Sequence, residues 1–264
     1  MGHNRTMDGE DRLGRARSFL IGGVLGASAA LATARRRREI ARRRRERMLH
    51  PAGELLAREL AAHGVELVGP VAEGSSGVVV SLVEDGERSM ASDRGVAPTL
   101  APEELRPEWL ECDIFHLSGY ALLREPIQDA ALLAGRLARE RGARLSVDVA
   151  AWTEIRAFGP VRFRELLDTL APDVLFATEA EWQMLGGAYL TAPTGVIKRG
   201  ARGCVVVTED AQLEFAPLPT DVVDATGAGD ALAAGFLLGG SLEDAARRGL
   251  ECAARCVARV GSFP

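Results

Sequence analysis

Residues 221–236 read Asp-Val-Val-Asp-Ala-Thr-Gly-Ala-Gly-Asp-Ala-Leu-Ala-Ala-Gly-Phe, and between Asp224 and Asp230 they concentrate the residue types that chemistry needs. The β-branched pair Val222-Val223 predicts a strand. Gly227-Ala228-Gly229 predicts a turn that brings bare backbone close to a ligand, and the alanine-rich run after it predicts a helix. The first N–H groups of a helix have no intrahelical partner and sit at its positive end, so this turn can hold an anion such as a phosphate oxygen. Asp230 falls at the helix start. A carboxylate beside a phosphate is unfavourable unless it has a task, and accepting a proton from an attacking hydroxyl is one. An Asp near a helix N-terminus is also a common favourable pairing with the dipole. Asp224, Thr226, two glycines and Asp230 together, at a strand-to-helix switch, are more specific than that.

Other polar residues fall at or just beyond the ends of predicted strands: Ser118-Gly119, Asp148, Thr178-Glu179 and Lys198-Arg199-Gly200. Thr178-Glu179-Ala180-Glu181 has the spacing of a capping box, in which Thr178 and Glu181 satisfy each other's backbone. Lys198 to Gly203 reads as a basic turn between two strands. Lys198 is the sole lysine of the chain. His116, inside an apolar stretch, reads as a packed histidine. Cys112, Cys204, Cys252 and Cys256 show no zinc or redox spacing, and the Gly-x4-Gly-Lys-Ser/Thr phosphate loop is absent.

The elements that must position these residues alternate. A helix is predicted over 54–63 and a strand over 65–71. A hairpin is predicted over 78–90, turning at Asp85-Gly86. Strands then follow at 114–117, 144–149, 173–177, 195–198, 204–207 and 213–215. Helices are predicted at 126–141, 162–170, 179–185 and 242–260. Such alternation argues for an α/β fold with a mostly parallel sheet covered by helices on both faces, and ligands in these folds gather at the carboxyl ends of the strands.

Asp224-Ala-Thr-Gly-Ala-Gly-Asp230 resembles the C-terminal signature of the ribokinase, or PfkB-type, sugar kinase family, with Ala225 where the family usually carries a hydroxyl residue. The resemblance runs from about Pro51 to Pro264. It takes in Thr178-x-x-Glu181, where Thr178 replaces the family's usual Asn, and the Lys198–Gly203 turn. It also takes in Ser118-Gly119-Tyr120 and the hairpin near 77–91, which resembles the family's small β lid. It implies an ATP-dependent kinase that transfers the γ-phosphoryl group to a hydroxyl of a sugar or polyol. On this resemblance Asp230 is the base, and the N–H groups of Gly227, Ala228 and Gly229 stabilise the moving phosphoryl oxygens. Lys198, Arg199, Gly200, Gly203, Thr178 and Gly229 hold the nucleotide. Glu181, Asp224 and Thr226 organise Mg2+ or a monovalent cation such as K+, and Gly119 and Asp230 face the sugar. Relatives that pair through the lid imply a homodimer as an assembly to test. A second reading is a catalytically degenerate relative that binds nucleotide or sugar without turnover.

The family's opening strand with its sugar-binding Asp, its Gly-Gly-x-x-x-Asn helix start and its Gly-Asp-Asp element have no counterpart before Pro51, although Gly22-Gly23 stands about where the Gly pair belongs. Residues 1–50 instead carry thirteen Arg and five acids, a net +8 against a chain total of −5, which leaves −13 for the rest. The main body is therefore acidic, which argues against nucleic acid as its partner. The apolar run 19–34 is shorter than the roughly twenty residues that span a bilayer. It admits three readings: a marginal membrane anchor, a signal peptide with its charge on the wrong side, or part of the polypeptide's soluble body. Length and flanking charge favour the last, and with the unpaired cysteines they predict a cytoplasmic protein.

Overall fold

The computed structural model describes residues 51–84, 87–187 and 192–261. The expectations for the Arg-rich segment 1–50 and for the turn residues Asp85 and Gly86 lie outside the described residues.

Helix α1 (Pro51–Ala62) precedes an antiparallel pair, β1 (Val78–Glu84) and β2 (Glu87–Asp93), in register from Val78 opposite Asp93 to Glu84 opposite Glu87. This is the predicted hairpin, and it forms a separate two-stranded sheet. The main body follows as β3 (Ile114–Ser118), α2 (Ile127–Glu140), β4 (Arg144–Asp148), α3 (Trp152–Phe158), α4 (Pro160–Leu170), β5 (Val174–Thr178) and α5 (Glu179–Met184). It continues as β6 (Thr194–Lys198), β7 (Cys204–Val207), β8 (Gln212–Phe215), α6 (Ala228–Leu237) and α7 (Leu242–Val257). The six strands of the large sheet lie in sequence order. Those from β3 to β6 are parallel, and β7 and β8 add antiparallel at one edge.

Side chains alternate across a strand, so the two faces of the sheet receive different residues. One face carries Leu117, Leu145, Val147, Leu175, Ile197 and Val205. It is sealed by Ala131 of α2, Ile155 of α3, Phe163 and Leu167 of α4 and Trp182 of α5. The other carries Val174, Phe176, Val196, Cys204 and Val206, on which α6 sets Leu232, Ala233 and Phe236 and α7 sets Ala245, Ala246 and Leu250. Burial in this second layer pushes the Cys204 thiol up to about 11, so it behaves as a small apolar side chain.

Two expected strands do not form. Val65–Val71 is an extended loop with Leu67, Val68 and Val71 exposed, and Val222-Val223 lies in a loop with the two valines 66 % and 57 % exposed. β-branched residues favour a strand only where a neighbouring strand or buried surface receives them. Gly64, Gly69 and Pro70 interrupt the first run. The second is held by α7 instead, because the N–H groups of Val223 and Asp224 both donate to the carbonyl of Val257, at 2.8 and 3.2 Å. Helix α3 was not expected and separates β4 from α4.

Candidate active site

Ser118, Asp148, Thr178 and Lys198 are the last residues of the four parallel strands β3, β4, β5 and β6. The fold thus brings to one edge of the sheet residues that are 20 to 80 positions apart in the chain. Helix α6 begins over the same side. Gly227 caps it in the left-handed conformation (φ +79°) and, as a glycine, gives the helix no side-chain cap. The N–H of Ala228 reaches back to the carbonyl of Ala225 at a long 3.3 Å, while the helix ladder begins with Ala231 donating to Gly227 at 2.9 Å. The bend therefore presents open backbone donors at the positive end of a helix.

Asp224 fixes this bend. One carboxylate oxygen accepts from the Thr226 N–H at 2.9 Å and from the Thr226 hydroxyl at 2.6 Å; the other accepts from the N–H of Gly261 at 3.2 Å. The Cys256 thiol of α7 lies against the carbonyl of Thr226 at 3.3 Å. Asp224 and Thr226 thus tie the bend to the end of α7, and the local tie is an Asx-type turn.

Asp230 is exposed. Its carboxyl is pushed above the ordinary range by partial burial and then by Asp148, while Lys198 and His116 pull it down. Lys198 Nζ donates to both oxygens of Asp148, at 2.8 and 2.6 Å, and Asp148 is 4 % exposed. The lysine stem passes under the first turn of α6: a Cβ added at Gly229 would stand 3.3 Å from Nζ and 3.6 Å from Cδ. Gly229 therefore keeps both the bend and the lysine's path clear.

His116 belongs to this group, and sequence reasoning missed it. It is exposed on β3, directly opposite Ser146 of β4, and its Nδ1 lies 2.7 Å from the Ser146 hydroxyl. Its ring meets the edge of Phe176 at 6.0 Å. Burial pulls its pKa down, against the lifting effect of Asp148 and Asp230. The signal was the alternation itself: Phe115 and Leu117 face the sealed side, which sends His116 to the side of Asp148 and Lys198.

Thr178 and Glu181 form the expected capping box. The Thr178 hydroxyl accepts from the Glu181 N–H at 3.3 Å, and Glu181, 4 % exposed, accepts from the Thr178 N–H at 2.7 Å. Arg199 pairs with Glu214 of β8 at 3.1 Å, yet its Nε is buried without a hydrogen-bond partner. Gly200 (φ +56°) faces open space. Gly203 (φ +80°) packs so closely that a Cβ would sit 2.1 Å from the carbonyl oxygen of Phe215. Gly119 is buried, and a Cβ there would meet the Val149 carbonyl oxygen at 2.4 Å, so it serves close backbone packing under Asp148-Val149. Among the described residues no three or more His, Cys, Asp or Glu side chains are grouped to hold a metal ion. No helix among them is long and apolar enough to cross a membrane. A cavity of about 400 Å3 between α2 and α4, lined by Leu132, Leu133, Arg136, Arg139, Thr169 and Leu170, gathers none of the residues above.

The hairpin reaches this edge through Arg94, just after β2. Arg94 donates to Glu154 of α3 at 2.5 Å and to the carbonyl of Tyr120 at 3.2 Å, and lies 4.1 Å over the Tyr120 ring.

Residues 50–263 match the model of the pfkB family carbohydrate kinases. The chain belongs to that family. An ATP-dependent ribose-1-phosphate kinase of Halopiger xanaduensis is 32% identical over 216 residues, covering 77% of this chain and 68% of that protein. A fructokinase of Escherichia coli is 30% identical over 238 residues, covering 78% and 75%. Among solved structures, adenosine kinase from Sinorhizobium meliloti superposes with a TM-score of 0.74 at 25% identity, over 81% of this chain and 71% of that one. A putative ribokinase II of E. coli in complex with ATP and Mg2+ shares the fold, with a TM-score of 0.66 at 22% identity over 80% and 75% of the two chains. As a member of this family the protein is a carbohydrate kinase with a ribokinase-like fold.

Proposed function

We propose that the protein transfers the γ-phosphoryl group of ATP to a hydroxyl of a sugar or sugar-like small molecule at the bend before α6. The observation that carries the reading is the uncapped N-terminus of α6, with Gly227 in the left-handed conformation and Asp230 exposed in its first turn. The N–H groups of this turn supply fixed donors for a phosphoryl oxygen, where charge builds as the group moves. Asp230 takes the proton of the attacking hydroxyl. Its raised pKa makes it a stronger base than an ordinary carboxylate. Little further chemistry is needed, because alignment and charge neutralisation supply most of the rate in phosphoryl transfer.

The residues present fit ATP. The open donors of the bend suit a phosphate, and the buried, unpartnered Nε of half-buried Arg199, beside the open backbone of Gly200, suits an acceptor from the nucleotide. Lys198 already has its charge met by Asp148, so we assign nucleotide binding at this turn to Arg199, Gly200 and Gly203, with Gly229 at the helix start. Thr178 contributes by shaping the start of α5. Mg2+, when bound, neutralises phosphate charge. Asp224, Thr226 and Glu181 fit a supporting role toward it or toward K+, since each holds backbone in place through its hydrogen bonds. Gly119 supports the sugar side by letting backbone pack under Asp148. The two-stranded sheet acts as the lid, and its edges, unpaired among the described residues, suit pairing between two copies in a homodimer.

The test is a panel of acceptors with Mg-ATP and direct detection of product, starting from the compounds named by the relatives: ribose-1-phosphate, fructose and adenosine. A phosphorylated acceptor supports the reading. Acceptor or nucleotide binding without product from any of them would replace it with the degenerate binding protein.

A further inference from the structure

The Asp148–Lys198 ion pair is an enclosed charged group of the site that capping, bend formation and nucleotide contact leave without a role. Its side chains are 5% and 13% exposed, and the two bonds at 2.6 and 2.8 Å use both carboxylate oxygens. A buried pair is poor evidence of stabilisation, because desolvating two charges offsets most of their attraction. Its placement asks for another explanation. The pair bridges β4 and β6 across β5, and the lysine stem runs under Gly229, one residue before Asp230. The segment carrying Asp148 is itself tightly fixed. Gly119 packs against the carbonyls of Asp148 and Val149, and Ala150 adopts φ +51°, a conformation that a non-glycine residue holds only when its surroundings impose it.

We propose that Asp148 and Lys198 act as one ion-paired unit that seats the first turn of α6 and sets the charge around Asp230, which makes both of them positioning residues for phosphoryl transfer. This rests on the reading of Asp230 as the base. The charged and titratable groups whose fields reach Asp230 are His116 from β3, Asp148 from β4, Lys198 from β6 and Cys256 from α7. Asp148 raises the proton affinity of Asp230, and Lys198 and His116 lower it. The two partners of the pair therefore act on Asp230 with opposite sign, and a pair too distant to reach it would leave its titration unmoved.

The experiment is a 13C NMR titration of the Asp230 carboxyl in the full chain, for the wild type, Asp148→Asn, Lys198→Met and the double variant, alongside kcat and KM for ATP and acceptor. Asp148→Asn is expected to lower the Asp230 midpoint and Lys198→Met to raise it, each by roughly half a unit or more. The double variant should return toward the wild type. In both single variants kcat should fall at least tenfold while KM for ATP stays within about threefold. Should Lys198→Met fail to fold with Asp148 left unpaired, Asp148→Asn and the double variant, which leaves no lone buried charge, carry the test. A midpoint that stays put in Asp148→Asn, or single variants that shift it in the same direction, overturns the proposal. The titration does not need turnover. Opposite shifts in a protein that phosphorylates no acceptor would refute the kinase reading and leave the charge coupling standing; turnover with immobile midpoints would do the reverse.

Discussion

The two faces of the six-stranded sheet are built from the same strands, yet they end in different chemistry. On one face every position from β3 to β7 is apolar, and four helices seal it. On the other, α6 and α7 cover β5 to β7 with an apolar layer, while β3 and β4 contribute His116, Ser146 and Asp148 instead. The transition from apolar to polar occurs at the start of α6, where Lys198 crosses toward Asp148 and Asp230 emerges. A helix whose C-terminal half is buried in the second layer thus has its N-terminal turn free to meet a ligand. The packed half holds the reactive half in place.

This contrast can be broken at several points. Asp230→Asn is the largest expected effect: turnover should fall by about 10²–10⁴-fold, with ATP affinity measured by calorimetry nearly unchanged, because the backbone donors remain. On the sealed face, Phe163→Ala removes a fully buried ring and should cost about 3–5 kcal/mol of unfolding free energy in urea titration, while the folded fraction keeps its catalytic rate constant. Thr178→Ala removes the cap of α5 and should cost about 1 kcal/mol; a loss of ATP affinity well beyond what this destabilisation explains would show that Thr178 touches the nucleotide directly. The smallest effect reverses the usual sign. The folded-state pKa of Asp230 is raised, so the native protein holds that proton more tightly than the unfolded chain, and its ionisation removes stability as pH rises from the ordinary carboxylate value through the raised one. Above the raised value Asp230→Asn should accordingly melt slightly higher than the wild type, by about 1–3 °C in calorimetry.

Much of this layout was legible in the sequence. The Gly227–Gly229 bend, the helix after it and the capping box at Thr178 are local patterns, and each formed where its residues predict. The strands that form from β3 to β7 are short, mostly apolar runs with a neighbour on at least one side. Val65–Val71 and Val222-Val223 have similar composition but no neighbouring strand among the described residues, and composition cannot report that. The Asp148–Lys198 pair joins residues fifty positions apart, and it depends on the order of strands in the sheet and on Gly229 leaving space for the lysine. His116 was readable in part: a strict alternation assigns it to the face opposite Phe115 and Leu117, but whether that face is covered at β3 is decided by where α6 and α7 lie.

The most direct test of the central claim is kcat/KM for the acceptor as a function of pH, in the wild type and in Asp230→Asn. A base works only when ionised, so wild-type activity should decline as pH falls through a single ionisation lying above the ordinary carboxylate value, and the residual activity of the variant should lack that decline. The same acid limb in both proteins, or wild-type turnover in the variant, would contradict the assignment of Asp230 as the group that takes the hydroxyl proton.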